Sequence, residues 1–479
     1  MSLKKQALTG VKWTTAASVI NSVVQLVQLA ILAGLLDASD FGLMALVMVV
    51  IGFSQMFIDM GLSNAVIYKQ KITIEQLSSL YWLNIIIGLL FFILLIIASP
   101  LISNIYENQK LTPLINLVAA TFLIKPWGQQ FMVLLQKNMR FNAIAKTEII
   151  SRFISFIVVI VLAYKNFGVY SLAIGSIVFA VFSTIGYNFY GRNLYRPKFY
   201  LNIKLLKDFL SFGLFQMGEK IITYFSSQFD TILIGKLLGL EVLGIYNVAK
   251  NLVSKPSGII NPVITKVTFP IMSKIDNNIT QLKNVFLKTV SYLSLVNFPV
   301  HFLIALLAEP LIIIMFGDEW IQAIPIVRVL SFVFLLRSIG NPAGSLLLSR
   351  GRADIAFYWG LGKFIFYPIF IVVGSYWNIN GVTLSILILH LIIYFLNWHI
   401  IVLKTCYAGL SEYFKAIKKP LLFSLLPTLL ILLVSFIQLK VFIFTSISII
   451  LFSILYLFAF IKFDKKSFYE FKTMILNKS

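Results

Sequence analysis

The chain has 479 residues, of which 59% are hydrophobic and only 12% charged, so it lacks the polar residues needed to cover a soluble globule. The formal net charge of +22 raises nucleic acid as a partner, but the basic residues alternate with apolar stretches along the chain, which argues against it. The single cysteine, Cys406, excludes an internal disulfide and a cysteine-based metal cluster.

Hydrophobic stretches of about 20 residues recur from one end of the chain to the other, and each is long enough to cross a bilayer as a helix. They predict about fourteen spans, at 12–36, 41–63, 77–99, 112–134, 142–164, 168–190, 207–237, 241–264, 282–308, 323–347, 354–375, 379–404, 415–437 and 441–462. The first stretch is long and lacks a small-residue cleavage site, which indicates a membrane helix rather than a signal peptide. The expected fold class is therefore an all-α polytopic membrane protein.

The basic residues lie almost entirely in alternate loops between these spans. One set of loops and both termini hold most of the lysines and arginines, whereas the other set holds only Lys110, Lys165 and Lys440. By the positive-inside rule, both termini are expected in the cytoplasm. Most of the positive charge then orients the protein and meets anionic membrane lipids, and nucleic acid is not an expected partner.

The predicted loops are too short to hold a catalytic domain, since none is longer than about 20 residues. His301, His390 and His399 are scattered and form no metal-binding pattern, and the sequence contains no phosphate-binding loop of the P-loop type. We therefore expect no enzymatic activity, no metal and no cofactor.

Two seven-residue stretches, 122–128 and 334–340, match as F-L-[IL]-[KR]-x-x-G. They place Lys125 and Arg337, 212 positions apart, near the middle of predicted spans. A charge at membrane depth is costly and usually faces a wet cavity or a partner. Its duplication predicts two similar halves around a shared site, an arrangement typical of transporters.

A second match aligns the first predicted span with the seventh at an offset of 202 positions. Polar residues at helical spacing then fall in register, with Thr14, Ser18, Asn21, Gln25 and Gln28 on Gln216, Lys220, Thr223, Ser227 and Asp230. The same offset aligns Gly42 with Gly244, and an offset of 213 aligns Gly168 with Gly381. The alternative is chance similarity between apolar stretches, but matching cations, glycines and a polar face argue against it.

The repeat unit is about six helices, so the halves share one orientation and are related by an axis along the membrane normal. The predicted organisation is an N-terminal lobe with a cytoplasmic linker at 1–206, a C-terminal lobe at 207–404, and two further spans with a cytoplasmic tail at 405–479. The aligned polar faces either join helices by hydrogen bonds or line a wet interface between the lobes. Lys220 and Asp230, on one face of the seventh span, favour the wet interface.

Charged residues inside the predicted spans are mainly basic. The candidate substrate-binding cations are Lys125, Arg337, Arg152, Lys220, Lys250, Lys255 and Lys363. The candidate cavity-lining polar residues are Ser18, Asn21, Gln25, Gln28, Gln216, Thr223 and Ser227. The candidates for ion coupling are Asp59, Glu148 and Asp230. Arg152 follows Glu148 by four residues, so an intrahelical ion pair is an alternative role for both. A cationic interior predicts an anionic substrate, because buried positive charge needs negative charge to offset its lost hydration.

Several segments carry a family resemblance. The stretches 2–13, 35–43 and 57–65, together with FDTILIGKLLG at 229–239 and LGIYN at 243–247, resemble the polysaccharide exporters of the multidrug/oligosaccharidyl-lipid/polysaccharide (MOP) superfamily. The likeness is strongest to the colanic-acid and teichuronic-acid exporter type, relatives of the Wzx O-antigen flippases. It covers most of the first twelve predicted spans.

The resemblance implies two six-helix lobes in a V, as in the MATE transporters, around a central cavity. It also implies flipping of a polyprenyl-pyrophosphate-linked oligosaccharide across the inner membrane by alternating access, for lipopolysaccharide or exopolysaccharide export. A polysaccharide polymerase and glycosyltransferases are then expected to work beside it. The alternative is a multidrug or organic-ion antiporter of the same superfamily, which an acidic cavity would have favoured. No ion-coupling motif can be matched residue by residue.

Overall fold

The computed structural model describes residues 3–59, 66, 72–275, 278–434 and 440–465, and all regular elements in these ranges are helical. In chain order the α-helices are α1 Leu3–Ala33, α2 Ala38–Asp59, α3 Ile74–Ile105, α4 Leu111–Ala119, α5 Thr121–Ile124, α6 Pro126–Lys137, α7 Phe141–Tyr164, α8 Val169–Gly191, α9 Lys207–Leu237, α10 Leu240–Lys274, α11 Ile279–Leu306, α12 Ala308–Phe316, α13 Ala323–Gly340, α14 Pro342–Ser349, α15 Ala353–Ser375, α16 Asn378–Asn397, α17 Leu403–Cys406, α18 Leu410–Val434 and α19 Val441–Phe463. Short 3-10 helices lie at Ile203–Leu206 and Asp318–Trp320, and a π-helix at Trp398–Val402 precedes α17.

Among the described residues, 11 helices are long and apolar enough to cross a membrane, which confirms the predicted polytopic helical class. The count of about fourteen is not confirmed. The span expected at 112–134 is divided into α4, α5 and α6. The spans expected at 207–237 and 241–264 form the long helices α9 and α10, which are not among these 11.

The chain divides into two compact units, and each is described by itself. The first unit comprises 1–247 and 363–368, and the second comprises 248–362 and 369–479. In the first unit α7 packs against α1 and α8, and α2 packs against α9. In the second unit α11 is central, because it packs against both α13 and α18. The lobe boundaries derived from the repeat stay a prediction.

Aromatic stacking and hydrogen bonds join the helices of the second unit. The ring of Tyr413 stacks on Phe286 at 6.1 Å and on Tyr394 at 5.3 Å between centroids. The hydroxyl of Tyr456, on α19, donates to the carbonyl of Leu295, on α11, at 2.6 Å. Such contacts hold membrane helices together because lipid tails are as apolar as the side chains they replace, so burial alone provides little driving force.

The segment between α8 and α9 is held against the start of α3. A capping box of Thr73 and Gln76 starts α3, which fixes where its first turn lies. One turn later Ser78 Oγ accepts from the Tyr195 hydroxyl at 2.9 Å and from the Lys198 backbone N–H at 3.1 Å. The indole N–H of Trp82 donates to the Lys198 carbonyl at 2.9 Å. The predicted linker is therefore ordered by specific side chains of the third helix.

Candidate functional site

Lys125 lies at a break between two helices of the first unit. Helix α5 ends at Ile124 and α6 begins at Pro126, so the lysine occupies the junction. Proline has no backbone N–H and cannot complete a continuous helix, which explains the break at this point. Lys125 itself keeps helical dihedral angles (φ −58°, ψ −39°), so the break consists of the helical hydrogen bond that Pro126 cannot donate.

Side chains of α8 satisfy the backbone around this break. The hydroxyl of Thr184 donates to the Ile124 carbonyl at 3.3 Å, and the Asn188 amide donates to the Trp127 carbonyl at 3.0 Å. Gly128 allows the close approach, since a Cβ at this position would lie 2.9 Å from Cα of Thr184. The geometry around Lys125 is thus fixed by a neighbouring helix rather than by the local sequence alone.

Arg152 and Glu148, both on α7, have different partners. The guanidinium of Arg152 lies over the ring of Phe179, with its central carbon 4.3 Å from the centroid. Glu148 Oε1 accepts from the Tyr187 hydroxyl at 3.5 Å, a long and weak hydrogen bond. In the part of the chain that the structure describes, no ion pair joins Glu148 to Arg152. The intrahelical ion pair considered from their spacing is therefore not formed.

Lys125 and Arg152 together leave positive charge without a bonded counter-charge. Their charges lie close enough to repel each other. Arg152 Nε is buried and has no hydrogen-bond partner among the described residues, and the side chain of Lys125 makes no hydrogen bond or ion pair with them. Among the residues that the structure describes, Glu148 is the carboxylate whose charge acts on Arg152. This arrangement favours an anion that accepts from both cations.

The polar residues expected to line a cavity differ in exposure. Ser18 and Thr223 are exposed, whereas Asn21, Gln25, Gln28 and Ser227 are partly buried. Asn21 Oδ1 is buried and finds no partner among the described residues.

Three of the residues predicted to form the site cannot be placed in full. The side chains of Gln216, Lys220 and Asp59 lie outside the described residues. Whether the polar faces of the first and seventh predicted spans line a cavity stays a prediction.

Asp230 is engaged by hydrogen bonds within the first unit. The hydroxyl of Tyr246 donates to its Oδ2 at 2.7 Å, and the backbone N–H of Thr231 donates to its Oδ1 at 2.7 Å. These donors stabilise the ionised carboxylate inside an apolar bundle. The role of Asp230 in ion coupling stays a prediction, as does that of Glu148.

The remaining candidate cations divide between the two units. Lys363 belongs to the short 363–368 segment of the first unit, while Lys250, Lys255 and Arg337 belong to the second. Arg337 is exposed near the end of α13, and its guanidinium carbon lies 5.0 Å from the ring centroid of Phe334. The helix ends three residues after Arg337, and Pro342 starts α14. A proline-marked break thus follows the cation in both repeats.

Sequence reasoning missed the buried polar cluster of the second unit. Ser257, His301 and Ser338 come from α10, α11 and α13, and hydrogen bonds join them in one chain. Tyr187, the donor to Glu148, was missed as well. A buried histidine in a membrane helix was the available signal, but its serine partners are common residues at distant positions. No group of histidine, cysteine and acidic residues suitable for a metal occurs among the described residues.

Comparisons with known proteins show what this chain is similar to. A family profile described as polysaccharide biosynthesis protein matches residues 31–325. The chain is 34% identical over 424 residues to the teichuronic acid biosynthesis protein TuaB of Bacillus subtilis (strain 168), covering 88% of this chain and 87% of the relative. It is 32% identical over 432 residues to the lipopolysaccharide biosynthesis protein WzxC of Escherichia coli (strain K12), covering 90% and 88%.

Solved structures share the fold at lower identity. The lipid II flippase MurJ in an inward closed conformation matches with a TM-score of 0.77 and 16% identity, covering 94% of this chain and 98% of that chain. An inward-facing multidrug resistance MATE family transporter of the MOP superfamily matches with a TM-score of 0.62 and 14% identity, covering 79% and 93%. The motif-based resemblance is thereby confirmed: the chain is a multi-pass membrane protein of the polysaccharide biosynthesis protein family with a MOP-superfamily fold.

Proposed function

We propose that this protein flips a polyprenyl-pyrophosphate-linked anionic oligosaccharide from the cytoplasmic to the outer leaflet of a bacterial cytoplasmic membrane. The names of its relatives support the glycan class, since TuaB is a teichuronic acid biosynthesis protein and WzxC is a lipopolysaccharide biosynthesis protein. The fold shared with a lipid II flippase supports transport rather than catalysis. Both termini face the cytoplasm in this proposal, as the distribution of basic residues predicts.

One observation carries the proposal: the Arg152 guanidinium lies over the ring of Phe179 with a buried Nε that has no hydrogen-bond partner among the described residues, and Lys125 lies close enough to repel it. A pyrophosphate offers several charged oxygens in a small volume, so it can accept from an ammonium and a guanidinium together. Binding the anion offsets the repulsion between the two cations, because each then has negative charge nearby. The polyprenyl tail needs no polar partner and remains in lipid.

The other cations extend this proposal to a path. Lys220, Lys250, Lys255, Lys363 and Arg337 would receive acidic sugars and the pyrophosphate in turn as the site opens to each side of the membrane. The polar face of α1 would line the wet part of that path. A polymerase and glycosyltransferases would supply and use the substrate at the two membrane surfaces.

Reconstitution of the full chain tests the proposal directly. Vesicles would carry a fluorescent polyprenyl-pyrophosphate-linked oligosaccharide containing acidic sugars, and a membrane-impermeant quencher would report the fraction in the outer leaflet. We expect flipping well above the rate in protein-free vesicles. Lys125→Ala and Arg152→Ala should each slow flipping by about tenfold to a hundredfold, the equivalent of one charge-assisted hydrogen bond.

Lys146→Ala provides a matched control. Lys146 is a cation on the same helix as Arg152, but it is exposed and its Nζ lies 5.9 Å from the ring centroid of Trp13. This variant should flip at the wild-type rate. Wild-type vesicles that leave the glycan lipid in place but extrude a hydrophobic organic cation would contradict the proposal and favour the antiporter alternative.

A further inference from the structure

A chain of three buried side chains crosses the second unit from α10 to α11 to α13. Ser257 Oγ lies 3.0 Å from His301 Nε2, and Ser338 Oγ lies 3.1 Å from Ser257 Oγ. Ser257, His301 and Ser338 are 6%, 1% and 1% exposed. The proposed substrate path does not use them. A polar cluster of this kind is costly inside an apolar bundle unless every member is hydrogen-bonded.

The far side of the imidazole fixes which nitrogen carries the proton. His301 Nδ1 lies 2.7 Å from the carbonyl of Asn297 on the preceding turn. A carbonyl can only accept, so Nδ1 must be protonated and donate. In the neutral ring Nε2 is then an acceptor, and Ser257 donates its hydroxyl proton to it. Ser338 in turn donates to Ser257.

The same three side chains can also satisfy a charged ring. If Nε2 gains a proton, it donates to Ser257 Oγ, and Ser257 rotates its hydroxyl to donate to Ser338 Oγ. Ser338 still has an acceptor, because its Oγ lies 2.8 Å from the carbonyl of Phe334. Adding one proton therefore reverses the direction of the chain and leaves no donor unpaired. Only hydroxyl rotations are needed, and no heavy atom has to move.

From this geometry we infer that His301 is a proton-binding site, and that its protonation reverses the Ser257–Ser338 chain that joins α10, α11 and α13. The ligand is a proton. The hydroxyl of Ser338 is the last in the chain to change its acceptor, from Ser257 Oγ to the carbonyl of Phe334. A packed histidine with a purely structural role needs one satisfied protonation state, whereas this chain satisfies both.

Other ionisable groups lie on the helices that pack against His301. They are Glu241, Tyr246, Lys250, Lys255, Lys266 and Lys274 on α10, Lys283, Lys288 and Tyr292 on α11, Glu309 on α12, Arg328 and Arg337 on α13, Lys404 and Cys406 on α17, Glu412, Tyr413, Lys415, Lys418 and Lys419 on α18, and Tyr456 and Lys462 on α19. Five of these charged groups take part in ion pairs, which are Lys283–Glu412 at 2.8 Å, Arg328–Glu309 at 3.4 Å and Lys419–Asp464 at 3.1 Å. The groups that directly face the imidazole in the described structure are the Ser257 hydroxyl and the carbonyls of Asn297 and Val253. Carbonyl oxygens carry partial negative charge and favour a protonated ring, whereas burial of the ring opposes its charge.

The position of Ser338 gives the proton site a connection to transport, and this step rests on the proposed function. Ser338 immediately follows Arg337, the duplicated cation, and the α13 helix ends two residues later at Gly340. Protonation changes the hydrogen bonds that hold this turn against α10 and α11. Proton binding and the conformation of the Arg337 segment are then linked, and linkage acts in both directions.

The first experiment measures proton binding without transport. The full chain, labelled with 15N-histidine and placed in lipid nanodiscs, would be followed by NMR of the ring nitrogens from pH 5 to 9. We expect a reversible titrating signal that His301→Gln removes and that His390→Gln and His399→Gln leave in place. A His301 signal that stays unchanged over this range would overturn the proposal.

A second pair of variants keeps the histidine and tests the switch. Ser338→Ala removes the acceptor that only the protonated chain needs, so the ratio of protonated to neutral His301 at a given pH should fall about two- to tenfold. Ser331→Ala is the matched control, because Ser331 is buried on the same helix and donates to the Val327 carbonyl at 2.7 Å. The control should titrate as the wild type does. If His301 titrates alike in both variants, its protonation does not depend on the Ser338 hydroxyl, and the proposed reversal of the chain is contradicted.

The last step uses the flipping assay with and without an imposed pH gradient. We expect the gradient to change the wild-type and Ser331→Ala rates by about fivefold or more, and to lose most of its effect in Ser338→Ala and His301→Gln. Full gradient dependence in both of these variants would refute the link to transport. If the wild-type protein flips no glycan lipid at all, the proposed function fails, and the NMR titration still decides whether His301 binds a proton.

Discussion

Within the first unit, Gly42 lies against Leu240 and Gly244 lies against Ala38, so the contact between the two segments is reciprocal. A Cβ on Gly42 would collide with the backbone carbonyl of Leu240, and a Cβ on Gly244 would collide with that of Ala38. The two glycines are 202 positions apart, and so are Ala38 and Leu240. A local twofold relation between the segments 38–42 and 240–244 produces this reciprocity, and the offset is the one that aligns the first and seventh predicted spans.

The first prediction concerns this contact. Gly42→Ala and Gly244→Ala should each lower the free energy of unfolding by about 1–3 kcal/mol, because a methyl group must displace backbone rather than a flexible side chain. The apparent melting temperature in detergent is the measurement. Gly258→Ala, on the same helix as Gly244, should not lower it, because no atom outside its own helix lies within 4 Å of that position. Equal melting temperatures for all variants would show that the two helices can separate freely.

The second prediction separates charge from hydrogen-bond geometry at the duplicated cations. Lys125→Arg and Arg337→Lys should keep part of the flipping activity, since the positive charge remains while the bidentate geometry changes. Arg337→Ala should abolish flipping at normal protein levels. Substrate flipping in vesicles, normalised to folded protein, is the measurement. Full activity of both Lys125→Ala and Arg337→Ala would show that the repeated cations do not bind the substrate.

The third prediction addresses the polar face of α1. After Cys406→Ser, single cysteines at positions 21, 25 and 28 should react with a membrane-impermeant thiol reagent, and cysteines at 23, 26 and 29 should not. Cys406 is buried and its thiol donates to the Val402 carbonyl at 3.3 Å, so serine can keep that hydrogen bond. Labelling rates on intact membranes are the measurement. Similar rates at both sets of positions would mean that this face does not line a water-filled path.

The fourth prediction tests the linker held against α3. Ser78→Ala combined with Ser79→Ala removes the acceptors for Tyr195, the Lys198 N–H and the Asn202 N–H. Trypsin should then cut the 192–204 segment several times faster than in the wild type, because its bonds to the third helix are lost. Ser176→Ala, whose hydroxyl donates within its own helix, serves as the control.

The hydrogen bond from Tyr195 to Ser78, which holds the linker against α3, should weaken only at high pH. Burial raises the pKa of the Tyr195 phenol, so the neutral donor persists in the folded protein above the ordinary tyrosine range. Its contribution is full below the unfolded pKa of about 10 and is lost as the pH rises through the folded value. Protection from an alkali-stable protease should therefore be constant from pH 6 to 9. A loss of protection within that range would contradict the anchoring role of Tyr195.

The fifth prediction concerns topology. A reporter fused after Lys198 should score as cytoplasmic, since the loop contains Arg192, Arg196 and Lys198. A fusion after Lys110 should score as external and provides the control. An external score for the Lys198 fusion would require a different number of spans before it.

The sequence alone determined the helical class and the family. In lipid every backbone polar group must be satisfied within the chain, so long apolar stretches have few alternatives to helices, and composition is enough to find them. The motifs around Phe41 and Asp230 were specific enough to indicate the MOP superfamily. The duplicated Lys125 and Arg337 were visible because a charge inside an apolar stretch stands out without any knowledge of its neighbours.

Only the tertiary structure decided which polar groups meet. The break at Lys125 depends on Thr184 and Asn188, about 60 positions away, and the His301 chain depends on Ser257 and Ser338, 44 and 37 positions away. Serine, threonine and asparagine are common in membrane helices, so their identity does not predict which one faces a partner. That choice is made by helix packing, in which a few ångströms of approach determine whether a donor and an acceptor form a bond.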